Sequence, residues 1–158
     1  MNKQRLLDRF LQYVQIETTA VEDTSDYPSS PGQLEMGKLL VQQMKEMGIE
    51  DASQDQWGIV TGSLAGNLDA PAIAFNSHVD TSPETSGKNV LPNVIEDFDG
   101  NDFRLSGDSS KWIKAETCPE LPLAKGKTII TTDGTTLLGG DDKAGVAIIM
   151  ELANHLLE

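Results

Sequence analysis

The sequence contains little that would support a disulfide scaffold, a membrane anchor or binding to nucleic acid. Cys118 is the only cysteine among 158 residues, so the chain can form neither an internal disulfide nor a cysteine zinc cluster. No apolar run approaches the length of a transmembrane helix. There are 12 basic residues against 25 acidic ones, and the net charge of -13 would repel phosphate backbones and anionic lipids. We therefore expect a cytoplasmic protein with neither nucleic acid nor membrane as a partner.

Local patterns predict three helices. Apolar residues at helical spacing predict the first helix over about residues 3–16. Charged residues lie between them, which excludes a signal peptide. Ser30 can cap a second helix, with Pro31 at its first position and Gly48 just after its end. A third helix begins with Asp142 as its N-cap. Because strands are predicted between these helices, the fold class is α/β, and the length suits one domain.

Three segments have strand patterns. WGIVTGSL (57–64) and AIAFNSHV (72–79) are short apolar segments with turn chemistry between them. In KTIITTDGTTLLGG (127–140), two β-branched runs flank Asp133-Gly134, which predicts a hairpin with a two-residue turn. A residue that can bind a metal ion lies at the end of two of these segments: His78 is the penultimate residue of 72–79, and Asp141 directly follows 127–140.

His78 and Asp80 are two residues apart at the end of a predicted strand. Residues i and i+2 of a strand project to one side, so the two side chains share a face. A neutral imidazole is a good zinc ligand, and a carboxylate can orient it through its other ring nitrogen. A strand-end histidine that is hydrogen-bonded to a surface aspartate has the same pattern. This pair alone therefore does not show whether His78 binds a metal ion.

Asp141 and Asp142 stand at a second junction, between a strand and a helix. Gly139 and Gly140 precede them and leave room for unusual dihedral angles. A carboxylate can bridge two metal ions, and a helix N-terminus favours its ionised form. An N-cap role would account for one of the two aspartates and would leave the other unexplained. Because sites in α/β folds lie at the carboxyl ends of strands, the two junctions are expected to meet.

Three motifs, in this order, resemble the dizinc exopeptidases, the family that includes aminoacylase, glutamate carboxypeptidase and the tripeptide aminopeptidases. They are NSHVDTSP (76–83), SGKNV (86–90) and TIITTDGTTLLGGDDKAGVA (128–147), and the likeness covers nearly the whole chain. SGKNV favours the tripeptide aminopeptidases. The resemblance implies a metal-dependent enzyme that releases the N-terminal residue of tripeptides through water activated by two zinc ions. Manganese and cobalt also suit such ligands.

The resemblance assigns roles to individual residues. His78 would bind one zinc ion, Asp141 would bridge both, and Asp80 would be a catalytic residue that orients the His78 imidazole. A cis peptide bond is common in the family at the position of Asp141-Asp142, and we predict one there. His155, which follows Glu151 by four residues, has no family role, and we interpret that pair as solvated helix surface.

The same family needs ligands that this chain does not have. A Glu-Glu pair, a further Asp and a further His follow the third helix in the family, and one Glu is the general base. We therefore expect residues 1–158 to be the N-terminal portion of a mixed-sheet α/β/α catalytic domain, inactive alone. The C-terminal remainder and the inserted domain that makes the full-length protein a homodimer would be absent.

Two alternatives remain open from the sequence. One keeps the family and changes the substrate from a small peptide to an acylated amino acid or a C-terminal glutamate. The other is an acidic α/β binding module without catalysis, in which His78 and Asp141 are structural only. The distance between these two side chains discriminates, because two ligands of one zinc ion lie within about 4 Å of each other.

Overall fold

The computed structural model describes residues 1–158 and begins with two helices whose ends follow local sequence signals. Helix α1 is Lys3–Val14, and the Asn2 side chain caps it by accepting hydrogen bonds from the amides of Gln4 and Arg5. Helix α2 is Pro31–Glu46, preceded by Ser30 as the N-cap residue. Gly48 follows α2 at φ +96°, a left-handed conformation that favours glycine. Both helices are confirmed.

Helix α3, Gly140–Leu157, packs on α1 and carries one of the two predicted metal ligands. Its first residues are interrupted, because Asp141 and Asp142 have non-helical dihedral angles. Past this break, the Asp142 carboxylate accepts a hydrogen bond from the amide of Gly145, three residues on. That is the contact of an N-cap side chain, so the predicted role of Asp142 is confirmed. Gly139, at φ +74°, makes the turn into the helix.

The three helices share one apolar core. Nine buried side chains form it, drawn from α1, α2, α3 and one loop residue: Phe10, Tyr13, Val14, Met36, Leu40, Val90, Val146, Ala147 and Met150. Tyr13 is fully buried and its hydroxyl donates a hydrogen bond to Gln43 on α2. Burial of these side chains supplies the main driving force that fixes α3 against α1 and α2.

Six short strands form three separate antiparallel pairs. Strands β1 (Ser53–Gln54) and β2 (Val60–Thr61) make the first, and β4 (Phe103–Arg104) and β5 (Trp112–Ile113) make another. In the third, β3 (Pro92–Ile95) pairs with β6 (Ile129–Thr132), with Pro92 opposite Thr132 and Ile95 opposite Ile129. A 3₁₀ helix, Leu121–Ala124, precedes β6. The α/β class is confirmed.

Two strand predictions are wrong. Residues 72–79 form no strand: the segment has no ladder partner, and Ile73 and Phe75 are 80% and 61% exposed. The predicted hairpin around Asp133-Gly134 does not form either, because β6 pairs with β3, about 35 residues earlier, and residues 135–138 make no strand. In both cases the pattern was local, whereas strand formation depends on a distant partner. None of the helices is long and apolar enough to cross a membrane.

Candidate metal centre

The segment that carries His78 is fixed to the loop after α1 on one side. The Thr18 hydroxyl donates a 2.6 Å hydrogen bond to the carbonyl of Val79. Thr19 and Thr81 form an isolated parallel bridge, in which the Ala20 amide donates to the Thr81 carbonyl at 2.9 Å. Thr18 and Thr81 are both buried. Although residues 72–79 form no strand, the end of the segment is therefore held in place.

His78 and Asp80 are in contact, as their i, i+2 spacing predicts. The Nδ1 atom of His78 lies 3.1 Å from Oδ1 of Asp80 and 3.1 Å from the Asp80 carbonyl oxygen. Because both partners are acceptors, Nδ1 carries a hydrogen, and Nε2 is the ring nitrogen that a cation could bind in place of a second hydrogen. Burial lowers the pKa of His78, but hydrogen bonds to Asp80 and Asp141 and the Asp80 charge outweigh it and raise the pKa above its ordinary value.

Asp141 approaches the other ring nitrogen of His78, Nε2, across 63 residues of sequence. Nε2 of His78 lies 3.1 Å from Oδ1 of Asp141, and the two side chains are 53% and 96% exposed. Zinc bonds of about 2.0–2.1 Å to two atoms this far apart subtend about 95–100° at the metal, slightly below the tetrahedral value. The donor set, an imidazole nitrogen and a carboxylate oxygen open to solvent, therefore fits one zinc ion. A hydrogen bond between imidazole and carboxylate fits the same distance.

The neighbouring carboxylate, Asp142, is engaged elsewhere. Oδ2 accepts a 2.5 Å hydrogen bond from the Ser77 hydroxyl, and Oδ1 accepts the 3.1 Å bond from the Gly145 amide. Both Asp142 oxygens thus have protein donors, whereas the Asp141 carboxylate has His78 as its one hydrogen-bond partner. The Asp141-Asp142 peptide bond is cis, as predicted. The adjacent pair therefore divides into one carboxylate that faces solvent and one that holds the structure together.

Lys143 anchors the start of α3 from inside the protein. It is 2% exposed, and its Nζ donates a 2.6 Å hydrogen bond to the carbonyl of Ile16, just after α1. Burial lowers the pKa of Lys143 to about 8. Since Thr18 holds the His78 segment to the same loop, both halves of the candidate site are tied to residues 16–19. The sequence analysis did not predict a role for Lys143. The one feature that could have indicated it is its position directly after Asp141 and Asp142.

The site brings together two possible metal ligands and no third. No group of three or more His, Cys, Asp or Glu side chains is arranged to hold a metal ion. His155, the other histidine, lies near the N-terminal amine of Met1 and near Glu158. The interpretation of its neighbour Glu151 as solvated surface is wrong, because Glu151 is fully buried against Arg5 and Arg9.

Comparison with known proteins identifies the relatives of this chain. No family model matches it. Peptidase T of Bacillus cereus (strain B4264) is 48% identical over 157 residues, and peptidase T of Bacillus mycoides (strain KBAB4) is 47% identical. The chain is a homologue of peptidase T. The matched region is 98% of this chain and 38% of each relative, so the chain spans well under half the length of the peptidase T proteins it matches.

A solved structure supports the fold. The crystal structure of a tripeptidase from Staphylococcus aureus subsp. aureus Mu50 superposes with a TM-score of 0.61 at 24% identity. The match covers 97% of this chain and 32% of the tripeptidase. The resemblance inferred from the three sequence motifs is therefore confirmed at the level of peptidase T homology and fold. The metal-binding roles of His78 and Asp141 and the orienting role of Asp80 remain predictions.

Proposed function

We propose that this chain supplies part of the active site of a metal-dependent aminopeptidase that releases the N-terminal residue of tripeptides. The observation that carries the proposal is the approach of His78 Nε2 to Asp141 Oδ1 at 3.1 Å across 63 residues of sequence. Homology to peptidase T over 98% of the chain supports a peptide as the substrate. The exposure of both side chains leaves room for a cation and for further ligands.

His78 and Asp141 would hold a zinc ion, and the second Asp141 oxygen is free to reach another. Bound zinc would polarise the scissile carbonyl and increase the acidity of water. Asp80 would keep the hydrogen of the imidazole on Nδ1, so that Nε2 would direct its lone pair to the bound zinc ion. The carboxylates at the site and the acidic surface would attract the ammonium group of a peptide substrate.

The 158-residue chain by itself is expected to hydrolyse no peptide. It brings two ligands to the site, whereas catalytic zinc sites have three protein ligands. The two carboxylates beside the pair, Asp80 and Asp142, already accept hydrogen bonds from protein groups, so we expect neither to act as the general base. We expect the missing groups to come from further polypeptide, since the peptidase T relatives are much longer. We also expect the complete protein to be a cytoplasmic homodimer that uses two zinc ions per site.

A chimaera tests the proposal in a complete enzyme. This chain would replace the 157 matched residues of peptidase T from Bacillus cereus (strain B4264). We expect zinc-dependent hydrolysis of Leu-Gly-Gly, lost with a chelator and restored by zinc, and slower turnover of N-acetylleucine. His78→Ala and Asp141→Ala should each reduce the rate by at least about 100-fold, and Asp80→Asn by about 10–100-fold.

The control is Ser106→Ala, at an exposed position with no side-chain hydrogen bond. A folded chimaera that is inactive, or one that stays active with Ala at position 78, would contradict the proposal. Preference for N-acetylleucine over Leu-Gly-Gly would keep the metal site and reassign the substrate.

A further inference from the structure

We propose that Ser77 is a positioning residue that sets the distance between the two candidate metal ligands by holding Asp142. The inference rests on the proposed function, because it concerns the same site. Ser77 directly precedes His78, and Asp142 directly follows Asp141. The hydroxyl of Ser77 donates to Oδ2 of Asp142 at 2.5 Å and lies 2.9 Å from the Asp142 carbonyl oxygen.

These contacts join two segments that share few hydrogen bonds. Apart from the His78–Asp141 contact, no other hydrogen bond links residues 70–80 to residues 139–146. Each segment is fixed separately to the loop after α1, through Thr18 and through Lys143. Ser77 therefore makes the direct connection, one residue away from each ligand. Because a preformed pair of ligands loses less freedom on binding, this connection should increase the affinity for a cation.

The Ser77 hydroxyl and the Asp142 carboxylate pack closely against Gly145. A Cβ added at Gly145 would overlap Oδ1 of Asp142 and would lie 2.7 Å from the Ser77 hydroxyl oxygen. Any side chain at position 145 would therefore push both partners away. In an ordinary helix, alanine in place of glycine is stabilising. At this position the same substitution should separate the two segments, which gives a second route to the same perturbation.

The test is a zinc titration of the 158-residue chain, followed by NMR. The ring signals of His78 report the site, and those of His155 report separately any zinc bound beside Met1 and Glu158. We expect Ser77→Ala to weaken the apparent Kd for zinc by about tenfold, the lower end of what loss of an outer-shell partner costs. Ser77→Thr keeps the hydroxyl and should bind as the wild type does. Ser106→Ala, the matched control, should also leave the Kd unchanged.

Gly145→Ala distinguishes positioning from stability. It should weaken zinc binding although alanine is the better helix former, and urea unfolding of each variant gives its stability separately. A merely structural role would move the urea midpoint and leave the Kd of the folded protein unchanged. The proposal is overturned if Ser77→Ala and Gly145→Ala both bind zinc like the wild type while wild-type His78 responds; in that case the proposed function stands. If the ring signals of wild-type His78 do not respond to zinc at all, both the positioning role of Ser77 and the proposed function are contradicted.

Discussion

The buried carboxylate of Glu151 offers the sharpest prediction about stability. Its side chain is 0% exposed and accepts hydrogen bonds from Arg5 Nε at 2.6 Å, Arg5 Nη2 at 2.9 Å and Arg9 Nη1 at 3.1 Å. The amide of Asn2 donates a further bond at 2.6 Å. These contacts join α1 to α3, so they help hold the helix that presents Asp141.

Glu151→Gln keeps the shape of the side chain and removes its charge. Two guanidinium groups then lack their anion, and the new amide group places a donor where an acceptor is needed. Removing one partner of a fully buried ion pair costs about 3–5 kcal/mol. Arg5 and Arg9 remain 27% and 11% exposed and can recover some hydration, so we expect a loss of about 2–3 kcal/mol in the free energy of unfolding.

The effect should depend on pH in a defined direction. Hydrogen bonds from Arg5, opposed by burial and assisted by the Asn2 amide, lower the pKa of Glu151 from 4.5 to about 2. A carboxyl group whose pKa is lower in the folded state stabilises fully above its unfolded pKa and loses that contribution as the pH falls. The difference in stability between wild type and Glu151→Gln should therefore be largest above pH 4.5 and shrink towards pH 2.

Urea unfolding at neutral pH and at several acidic pH values measures this difference. The matched control is Glu116→Gln, at an exposed glutamate, which should change the free energy of unfolding by less than about 0.5 kcal/mol. A change of similar size in both variants, or a difference that does not shrink at low pH, would refute the assigned role of Glu151.

Two further substitutions test the packing. Gly32→Ala should lower the free energy of unfolding in urea by about 2–3 kcal/mol, because its Cβ would overlap the backbone carbonyl oxygen of Glu17. Gly66→Ala is the control and should be nearly neutral, since a Cβ there would have no atom within 4 Å. Equal effects of the two substitutions would contradict this prediction. Met36→Ala, at a fully buried core position, should cost about 2–5 kcal/mol and lower the melting temperature measured by circular dichroism, and an unchanged melting temperature would place Met36 outside the core.

The helices could be predicted because their signals are local. Ser30, Pro31 and Gly48 lie within or beside α2, and Asp142 caps the continuous part of α3 as its position indicates. The strands could not be predicted as well, since the partner of β6 comes from residues 92–95 and not from the neighbouring run. A β-branched pattern specifies an extended segment, but it does not specify which other segment pairs with it.

The candidate site was partly visible in the sequence. The spacing of His78 and Asp80 predicts their contact, and the structure shows it. We expected Asp141 to approach the same imidazole because both segments were predicted to be strand ends. The approach is present, although residues 72–79 form no strand. Ser77 was not singled out, because nothing in its immediate neighbours indicates a contact 65 residues away.

The most direct test of the central claim is whether His78 and Asp141 together bind a divalent cation. Zinc would be titrated into the labelled 158-residue chain, its Asp141→Asn variant and the control Asp69→Asn, which removes an exposed carboxylate without a hydrogen bond. We predict that the His78 ring signals shift saturably and that, of the two variants, only Asp141→Asn weakens this shift. No saturable shift of the His78 signals, or wild-type affinity in Asp141→Asn, would contradict the account.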